Sequence, residues 1–424
     1  MILHLLKRLL NNKTYTMKTI YLLFTFICSA SLLAQEYTHF TESEGLINNS
    51  VNCVTIDNNQ NVWFGTNNGV SKFDGVNWES FTTDLTPDLV DNAVTAICAT
   101  STGEIWLGSD FGVSVFDGST WITYTEEDGL GDNRVSYISE DNDGVIWIAE
   151  KDGLSRFDGF SWTTYGTEEG LPFGGLNYVT FDSNNELWLA NSIFGLIHFD
   201  GLNFTTYNTN SGLISNTVRA IAIDENDNKW VGTAQGISVL NAANELEENH
   251  TMMLLLPEPD TLNPVVDIAL DSQGNVWAGV YVDYLVTVGG VAAWNGDTWT
   301  GFTYDSELIG PVVRALAIDA NDAIWVATST GVTKITNPQL SIAQSQNSIL
   351  LSVYPNPASS SFVVQSENTI ESYKIFNLLG KTMKESKAVN LTEIHINSES
   401  LSSGLYIVDV VTSAGCIREF IVIE

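Results

Sequence analysis

Seven tryptophans, Trp63, Trp106, Trp147, Trp188, Trp230, Trp277 and Trp325, recur at intervals of 43, 41, 41, 42, 47 and 48 residues. The text around each one repeats too. Trp63-Phe64-Gly65-Thr66 leads to Gly69-Val70, then to Phe73-Asp74-Gly75 and Trp78. Trp106-Leu107-Gly108-Ser109 leads likewise to Gly112-Val113, then to Phe116-Asp117-Gly118 and Trp121. A single unit of this length cannot bury its own apolar face, whereas stacked copies can. A period of about 40 to 45 residues with four short strands per unit marks a propeller blade.

Within the first unit, Val51 to Asp57 is β-branched and alternating, as an inner strand requires. Asp57-Asn58-Asn59-Gln60-Asn61 is a turn, because Asp and Asn side chains bond nearby backbone and tolerate left-handed conformations. Val62 to Gly65 forms the second strand, the Gly69 loop returns into Val70 to Phe73, and Asp74-Gly75 opens a hairpin to Trp78 to Phe81. Nine residues before the tryptophans lie Val54, Ile97, Ile138, Val179, Ile221, Ile268 and Leu316. Eight before lie the smaller Thr55, Cys98, Ser139, Thr180, Ala222, Ala269 and Ala317. Small against large lets neighbouring blades interdigitate, so the tryptophans read as core.

The last unit has no outer strand after Val332 to Ile335. Tyr37-Thr38-His39-Phe40 matches outer-strand text such as Trp121-Ile122-Thr123-Tyr124, so it is predicted to complete the seventh blade and remove an open sheet edge. The predicted fold is all-β: a seven-bladed β-propeller over residues 36–337, closed by the N-terminal strand. A Ser/Gln-rich linker, residues 338–349, precedes a small C-terminal β-sandwich over residues 350–424.

The pattern Asp-x-x-Gly-x-Trp-x-Gly-Thr-x-x-Gly-[Val/Leu]-x-x-Phe, met by Asp57 to Phe73, resembles the two-component-regulator propeller repeat. That family's propellers are often periplasmic sensors of oligosaccharides fused to a membrane span and a kinase, neither of which this sequence contains. The tail carries Tyr354-Pro355-Asn356-Pro357-Ala358, Leu401-x-x-Gly404-x-Tyr406 and a terminal strand. It resembles the type A sorting domain of the type IX secretion system of Bacteroidetes. The resemblance implies export through the periplasm, engagement of the secretion machinery by residues 350–424, and release or attachment at the outer cell surface.

The amino terminus fits this route. Met17-Lys18, an apolar run from Ile20 to Ile27 and small residues to Ala34 read as a signal peptide within residues 1–34, with Met17 the expected start. The run is too short for a comfortable membrane span, and none is expected in the mature chain. The formal net charge is −34, with 51 acidic and 17 basic residues, four of the basic ones within residues 1–34. Such a surface repels phosphate backbones and excludes nucleic acid as a partner. Cys53, Cys98 and Cys416 form no disulfide framework or zinc pattern.

The inner strands begin on the face that also carries the second-to-third strand turns. Fourteen residues before the tryptophans, that face holds Asn49, Asn92, Asn133, Gly174, Asn216, Asn263 and Pro311. Eleven before lie Asn52, Thr95, Ser136, Asn177, Arg219, Val266 and Arg314. The amides suit sugar hydroxyls, or else turn the chain into its strand; the two arginines suit a carboxylate, or else neutralise nearby acids. An insertion after Trp277 adds Tyr281 and Tyr284, rings placed for stacking. The acids Glu245, Glu247 and Glu248 read as a solvated loop. Acidic turns at Glu140 to Gly144 and Asp224 to Asn228 resemble fragments of Ca²⁺ loops but lack the distal glutamate, so Ca²⁺ is conceivable without support and no cofactor is expected.

No catalytic constellation stands out among His39, His198, His250 and His395. The sequence therefore predicts a secreted or surface-attached, monomeric and non-enzymatic propeller that binds a glycan or an extracellular protein. Asn49, Asn92, Asn133, Arg219, Arg314, Tyr281 and Tyr284 are its candidate ligand residues. The rival readings are a polysaccharide-cleaving enzyme using carboxylates at the channel mouth, and a purely structural adhesion module.

Overall fold

The alternation in each repeat becomes four antiparallel strands. In blade 1 these are Val51–Ile56, Val62–Thr66, Gly69–Phe73 and Trp78–Phe81. Blades 2 to 6 repeat the order within residues 96–124, 135–165, 176–207, 218–250 and 265–303, each as its own four-stranded sheet. The computed structural model describes residues 35–86, 88–254, 262–281, 288–304, 307–338, 340, 351–377, 381–398, 400–412 and 415–423. The signal segment, Tyr284 and nearly all of the 338–349 linker lie outside the described residues. The chain divides between Ser341 and Ile342 into two compact units.

Blade 7 takes three strands from Val313–Ile318, Ile324–Thr328 and Gly331–Thr336, and its fourth from Glu36–Phe40. Thr38 pairs opposite Lys334 and Phe40 opposite Val332. Phe40 then stacks on Trp325 at 5.6 Å and meets Phe73 and Trp78 of blade 1 at 5.3 and 5.7 Å. The closing strand thus belongs to blade 7 by hydrogen bonding and to blade 1 by packing. Inner strands of successive blades lie side by side, the seventh against the first, and the ring is shut.

The conserved geometry of the repeats comes from one carboxylate. Asp57 Oδ1 accepts the backbone N–H groups of Asn59 and Asn61, both at 2.9 Å, while Oδ2 accepts Asn61 Nδ2 at 2.8 Å and Trp63 Nε1 at 3.0 Å. The same aspartate-to-indole bond is made by Asp141 and Trp147, Asp182 and Trp188, Asp224 and Trp230, Asp271 and Trp277, and Asp319 and Trp325, at 2.9 to 3.3 Å. Blade 2 has Thr100 at this place, and Glu104 Oε2 receives Trp106 Nε1 instead, at 3.1 Å. The seven indoles are buried, as a core role requires. A buried indole N–H without an acceptor is costly, so the turn and the core are specified together.

Each indole also lies against an aromatic ring of its own outer strand: Phe81, Tyr124, Tyr165, Tyr207 and Phe302 in blades 1 to 4 and 6. In blade 5 this slot is taken by His250, parallel to Trp230 at 5.8 Å. This corrects the reading of the glutamates around it. Leu246–His250 is the fifth blade's outer strand, paired with Gly236–Leu240. An edge strand wet on one side accommodates acids, and Glu247 and Glu248 are exposed on it.

The C-terminal unit is a sandwich-type β domain built on one five-stranded sheet. Its strands Ser361–Asn377 and Thr382–Asn397 are long and interrupted by register shifts, so that sheet folds over a core of Phe362, Val364, Ile375, Ile396, Val408 and Ile421. The tail motifs have structural duties. Asn356 Oδ1 accepts Val422 N–H at 3.0 Å, and the buried Tyr406 donates its hydroxyl to Ser402 O at 2.8 Å. Gly404 has φ +156°. Tyr354, beside Pro355 and Pro357, donates to Gln365 Oε1 at 3.2 Å.

Asp271→Ala removes four hydrogen bonds, those to Gln273 N, Asn275 N, Asn275 Nδ2 and Trp277 Nε1. It is expected to destabilise the ring by about 2–4 kcal/mol, read by chemical denaturation of the full chain. A loss below about 0.5 kcal/mol would show that the staple is dispensable.

Candidate functional site

The candidate residues lie on the face formed by the inter-blade loops and the second-to-third strand turns. The residues fourteen before the tryptophans organise those loops. Asn49 Oδ1 accepts Glu42 N–H at 2.7 Å, Asn92 Oδ1 accepts Thr83 N–H at 2.8 Å, and Asn133 Oδ1 accepts Glu126 N–H at 2.9 Å. Asn216 does the same to Thr209, and Asn263 to Met253 and Leu254. Each asparagine caps the loop that delivers the chain to the next inner strand.

The residues eleven before sit on a β-bulge. In six blades the inner strand shifts register across that position, for example between Val51 and Cys53 and between Val313 and Ala315. The extra residue leaves the ladder and in three blades bonds the next one. Asn52 Nδ2 donates to Val94 O at 2.9 Å and Asn177 Nδ2 to Val218 O at 2.7 Å. Arg314 Nη1 donates to Ser50 Oγ at 2.9 Å and to Asn52 Oδ1, tying blade 7 to blade 1 across the closure. Arg219 holds the equivalent place in blade 5, half-buried. Tyr281 lies half-buried at the end of the second strand of blade 6, close to Gly289.

The middle of the ring carries features that repeat counting did not find. Tyr137 and Tyr178 stack at 3.8 Å, and Tyr178 packs against the core of blades 5 and 6. Asp267 reaches across to blade 7, accepting Ile268 N–H at 2.9 Å and Leu316 N–H at 2.8 Å. Burial pushes its carboxyl up to about 7 against those two bonds. All three stand ten residues before their tryptophans, where blades 2, 5 and 7 have alanine; that column signals the central plug.

Among the described residues, Asp182, Glu186 and His198 bring ligand-type atoms within 4.8 Å of one another. Their bonds are spoken for. Asp182 holds two backbone amides and Trp188, and His198 pairs with Glu186 at 2.7 Å while stacking on Trp188 at 4.4 Å. The acidic turns weighed for Ca²⁺ are likewise staples: Asp141 and Asp224 each accept two backbone N–H groups and an indole.

One position departs from the repeat by burying an acid. Three residues after the tryptophan, Thr66, Ser109, Thr233 and Thr328 donate their hydroxyls to a glycine carbonyl in the turn, at 2.8 to 3.1 Å. Blade 3 has Glu150 there. It is 0% exposed, and neither carboxyl oxygen makes a hydrogen bond of good geometry. Burial pushes its carboxyl up to about 8; the nearby Ser155 hydroxyl and the backbone N–H groups of Gly131 and Asp132 oppose this in part, and the Asp132 carboxylate raises it further. Glu150 lines a cleft of about 630 Å³ walled by Gly131, Asp152, Gly153, Thr164, Tyr165 and the 166–174 loop. Phe173, 67% exposed, stands at its rim. Aligning the repeats on tryptophan makes Glu150 visible as the one acid in a column of small polar or apolar residues.

Comparison with known proteins agrees with this architecture. Residues 45–68, 88–111 and 129–150 match the two component regulator propeller, and residues 352–424 match the secretion system C-terminal sorting domain. That tail marks the chain for secretion or the cell surface, and no described helix is long and apolar enough to cross a membrane. No curated protein matches. The chain is similar to the extracellular domain of BT3049 from B. thetaiotaomicron, described as a hybrid two component system, with TM-score 0.61 and 17% identity over 91% of this chain and 57% of that one. It is similar to PorZ, a surface component of the type-IX secretion system of Porphyromonas gingivalis, with TM-score 0.56 and 17% identity over 91% and 60%. It is also similar to virginiamycin B lyase from Staphylococcus aureus, with TM-score 0.55 and 16% identity over 72% and 99%. These likenesses are of fold. The chain spans less than two thirds of the first two.

Because the folded ring binds the Glu150 proton more tightly than the unfolded chain, whose carboxyl keeps its ordinary value near 4.5, this group's stabilisation is complete below about 4.5 and is lost as pH rises through about 8. Glu150→Thr restores the hydroxyl of the other blades. It is expected to flatten that part of the pH–stability curve and raise the unfolding midpoint at pH 8 by roughly 2–8 °C. Superimposable curves for the two proteins would show that the carboxyl is held without cost.

Proposed function

We propose that this exported propeller recognises an extracellular ligand on its loop face, a glycan being the favoured class and a partner protein the alternative. The observation that carries the reading is an exposed apolar set on blades 2 to 4: Phe111, Phe173, Ile193 and Phe194. Gly112 N–H donates to Asn133 O, which holds the Phe111 turn against the loop that supplies Gly131 to the cleft. Ile193 lies beside Gly174 at the cleft's other end. Aromatic rings held open to water by a rigid ring offer flat apolar faces for sugar or protein, and the cleft between them is of small-ligand size.

Asn49, Asn92, Asn133, Arg219, Arg314 and Tyr281 lie towards the same face and extend the proposed surface, and Tyr284, outside the described residues, is proposed with them. Export by the sorting tail places that face outside the cell. The reading treats the ring as a binding module whose rigidity preorganises its loops.

Phe111→Ala with Phe173→Ala removes two exposed rings without touching the core. Binding of the full chain to a polysaccharide panel, followed calorimetrically, is expected to weaken about five- to fifty-fold with the unfolding midpoint unchanged. Unchanged affinity for every ligand bound would remove this face from consideration. Release of reducing ends or unsaturated sugars in the same mixtures would replace recognition by cleavage.

A further inference from the structure

We infer that the cleft over Glu150 receives a primary ammonium group of an extracellular ligand, with the Glu150 carboxylate as its counter-ion. The inference deepens the proposed function and rests on it, since it names the chemistry of one ligand group on the same face. Four observations converge.

The first is the carboxyl itself. A fully buried acid whose two oxygens make no hydrogen bond of good geometry is a costly arrangement, and the other blades show that threonine at this site closes a bond to the turn. The second is room. Glu150 borders the cleft, and Gly131 and Gly153 pack against its Oε2: a Cβ on Gly131 would lie 2.7 Å from that oxygen, so the backbone covering the buried carboxyl carries no side chain.

The third is charge. The cleft wall carries Glu150, Asp152, Glu168 and Glu169 and neither lysine nor arginine. The nearest guanidinium, Arg134, is engaged with Asp132 at 2.7 Å and with Asp152, so it is held outside. The fourth is the rim, where the exposed Phe173 offers an aromatic face that favours a cation. A divalent metal fits less well. Asp132 and Asp152 are committed to Arg134, and Glu169 Oε2 accepts Gly166 N–H at 2.8 Å, which leaves too few converging oxygens for a six- to eight-coordinate ion.

The titratable groups around Glu150 are Asp132, which Arg134 pairs, and, along the cleft wall, Asp152 from its own turn, Tyr165 from the outer strand, and Glu168 and Glu169 from the following loop. With its carboxyl raised by burial, Glu150 holds its proton in the empty site at pH 7 and surrenders it when the ammonium enters. Binding therefore releases a proton, and affinity rises with pH, by up to about tenfold per unit, until the pH passes about 8.

The experiment is calorimetry of the full chain with Nα-acetyl-lysine amide, whose ammonium stays charged from pH 6 to 9, and with a glucosamine trimer at pH 6.5. Their N-acetylated counterparts serve as controls, and each titration is run in two buffers of different ionisation heat. Expected are saturable binding of free amine, uptake by buffer of about one proton per site, silence of the acetylated forms, and loss of the pH dependence in Glu150→Gln and Glu150→Thr. The tighter of the two amines identifies a peptide or a sugar source. Equal binding of free and acetylated forms, or pH dependence unchanged in both variants, overturns the inference. Failure of both amines overturns it too. If neutral glycans still bind through Phe111 and Phe173 in that case, the broader recognition reading stands while this one falls. Saturable Ca²⁺ binding abolished by the same variants would also overturn it.

Discussion

The structure depends on a carboxylate that does two jobs. The aspartate six residues before each tryptophan fixes the first-to-second strand turn through two backbone amides and satisfies the indole buried beneath it. Neither job is separable from the other. An indole in a dry inter-blade layer needs an acceptor, and a turn of exposed asparagines needs something to hold it in one conformation. Joining them makes every blade report its own correct register. Blade 2 confirms the logic by exception: with Thr100 in the turn, Glu104 reaches the indole from two residues away. The basic residues follow the same layer, with Lys72, Arg156, Lys229 and Lys334 lying over Trp63, Trp147, Trp188 and Trp325.

A ring of self-consistent blades still has to be joined and shut. The inner-strand bulge serves the joining, because the residue it expels leaves the backbone ladder and its side chain reaches the neighbouring blade. Asn52 and Asn177 show this most simply. The closing strand serves the shutting: Glu36–Phe40 hydrogen-bonds to blade 7 while Phe40 packs into blade 1. Arg314 adds a polar tie across the same seam, to Ser50 and Asn52.

What repeats was legible in the sequence, and what happens once was not. Blade number, strand order, the Asp-Gly hairpins and the N-terminal closure follow from seven aligned copies, in which accidents average out. The asparagines and arginines of the loop face stand out by spacing, yet their bonds to Glu126, Val94 or Ser50 involve partners that a residue pattern does not display. His250 concealed the fifth outer strand because an aromatic slot was filled by an imidazole among glutamates. Tyr137, Tyr178 and Asp267 share one column, but only three-dimensional closure brings blades 3, 4 and 6 to a common centre.

Those departures are also where function is most economically sought. A repeat protein holds its fold by many near-identical interactions, so one blade can lack a bond that four others make and the ring persists. Glu150 is such a loss. It puts a buried acid where four blades have a bonded hydroxyl, borders a cleft beneath two glycines, and leaves the staple of its own blade, Asp141 with Trp147, intact at 2.9 Å. The strain is therefore confined to the top of blade 3 and does not propagate into the inter-blade core. A local cost borne by a rigid, redundant scaffold is the physical condition under which a binding group can be kept desolvated and waiting for its counter-ion.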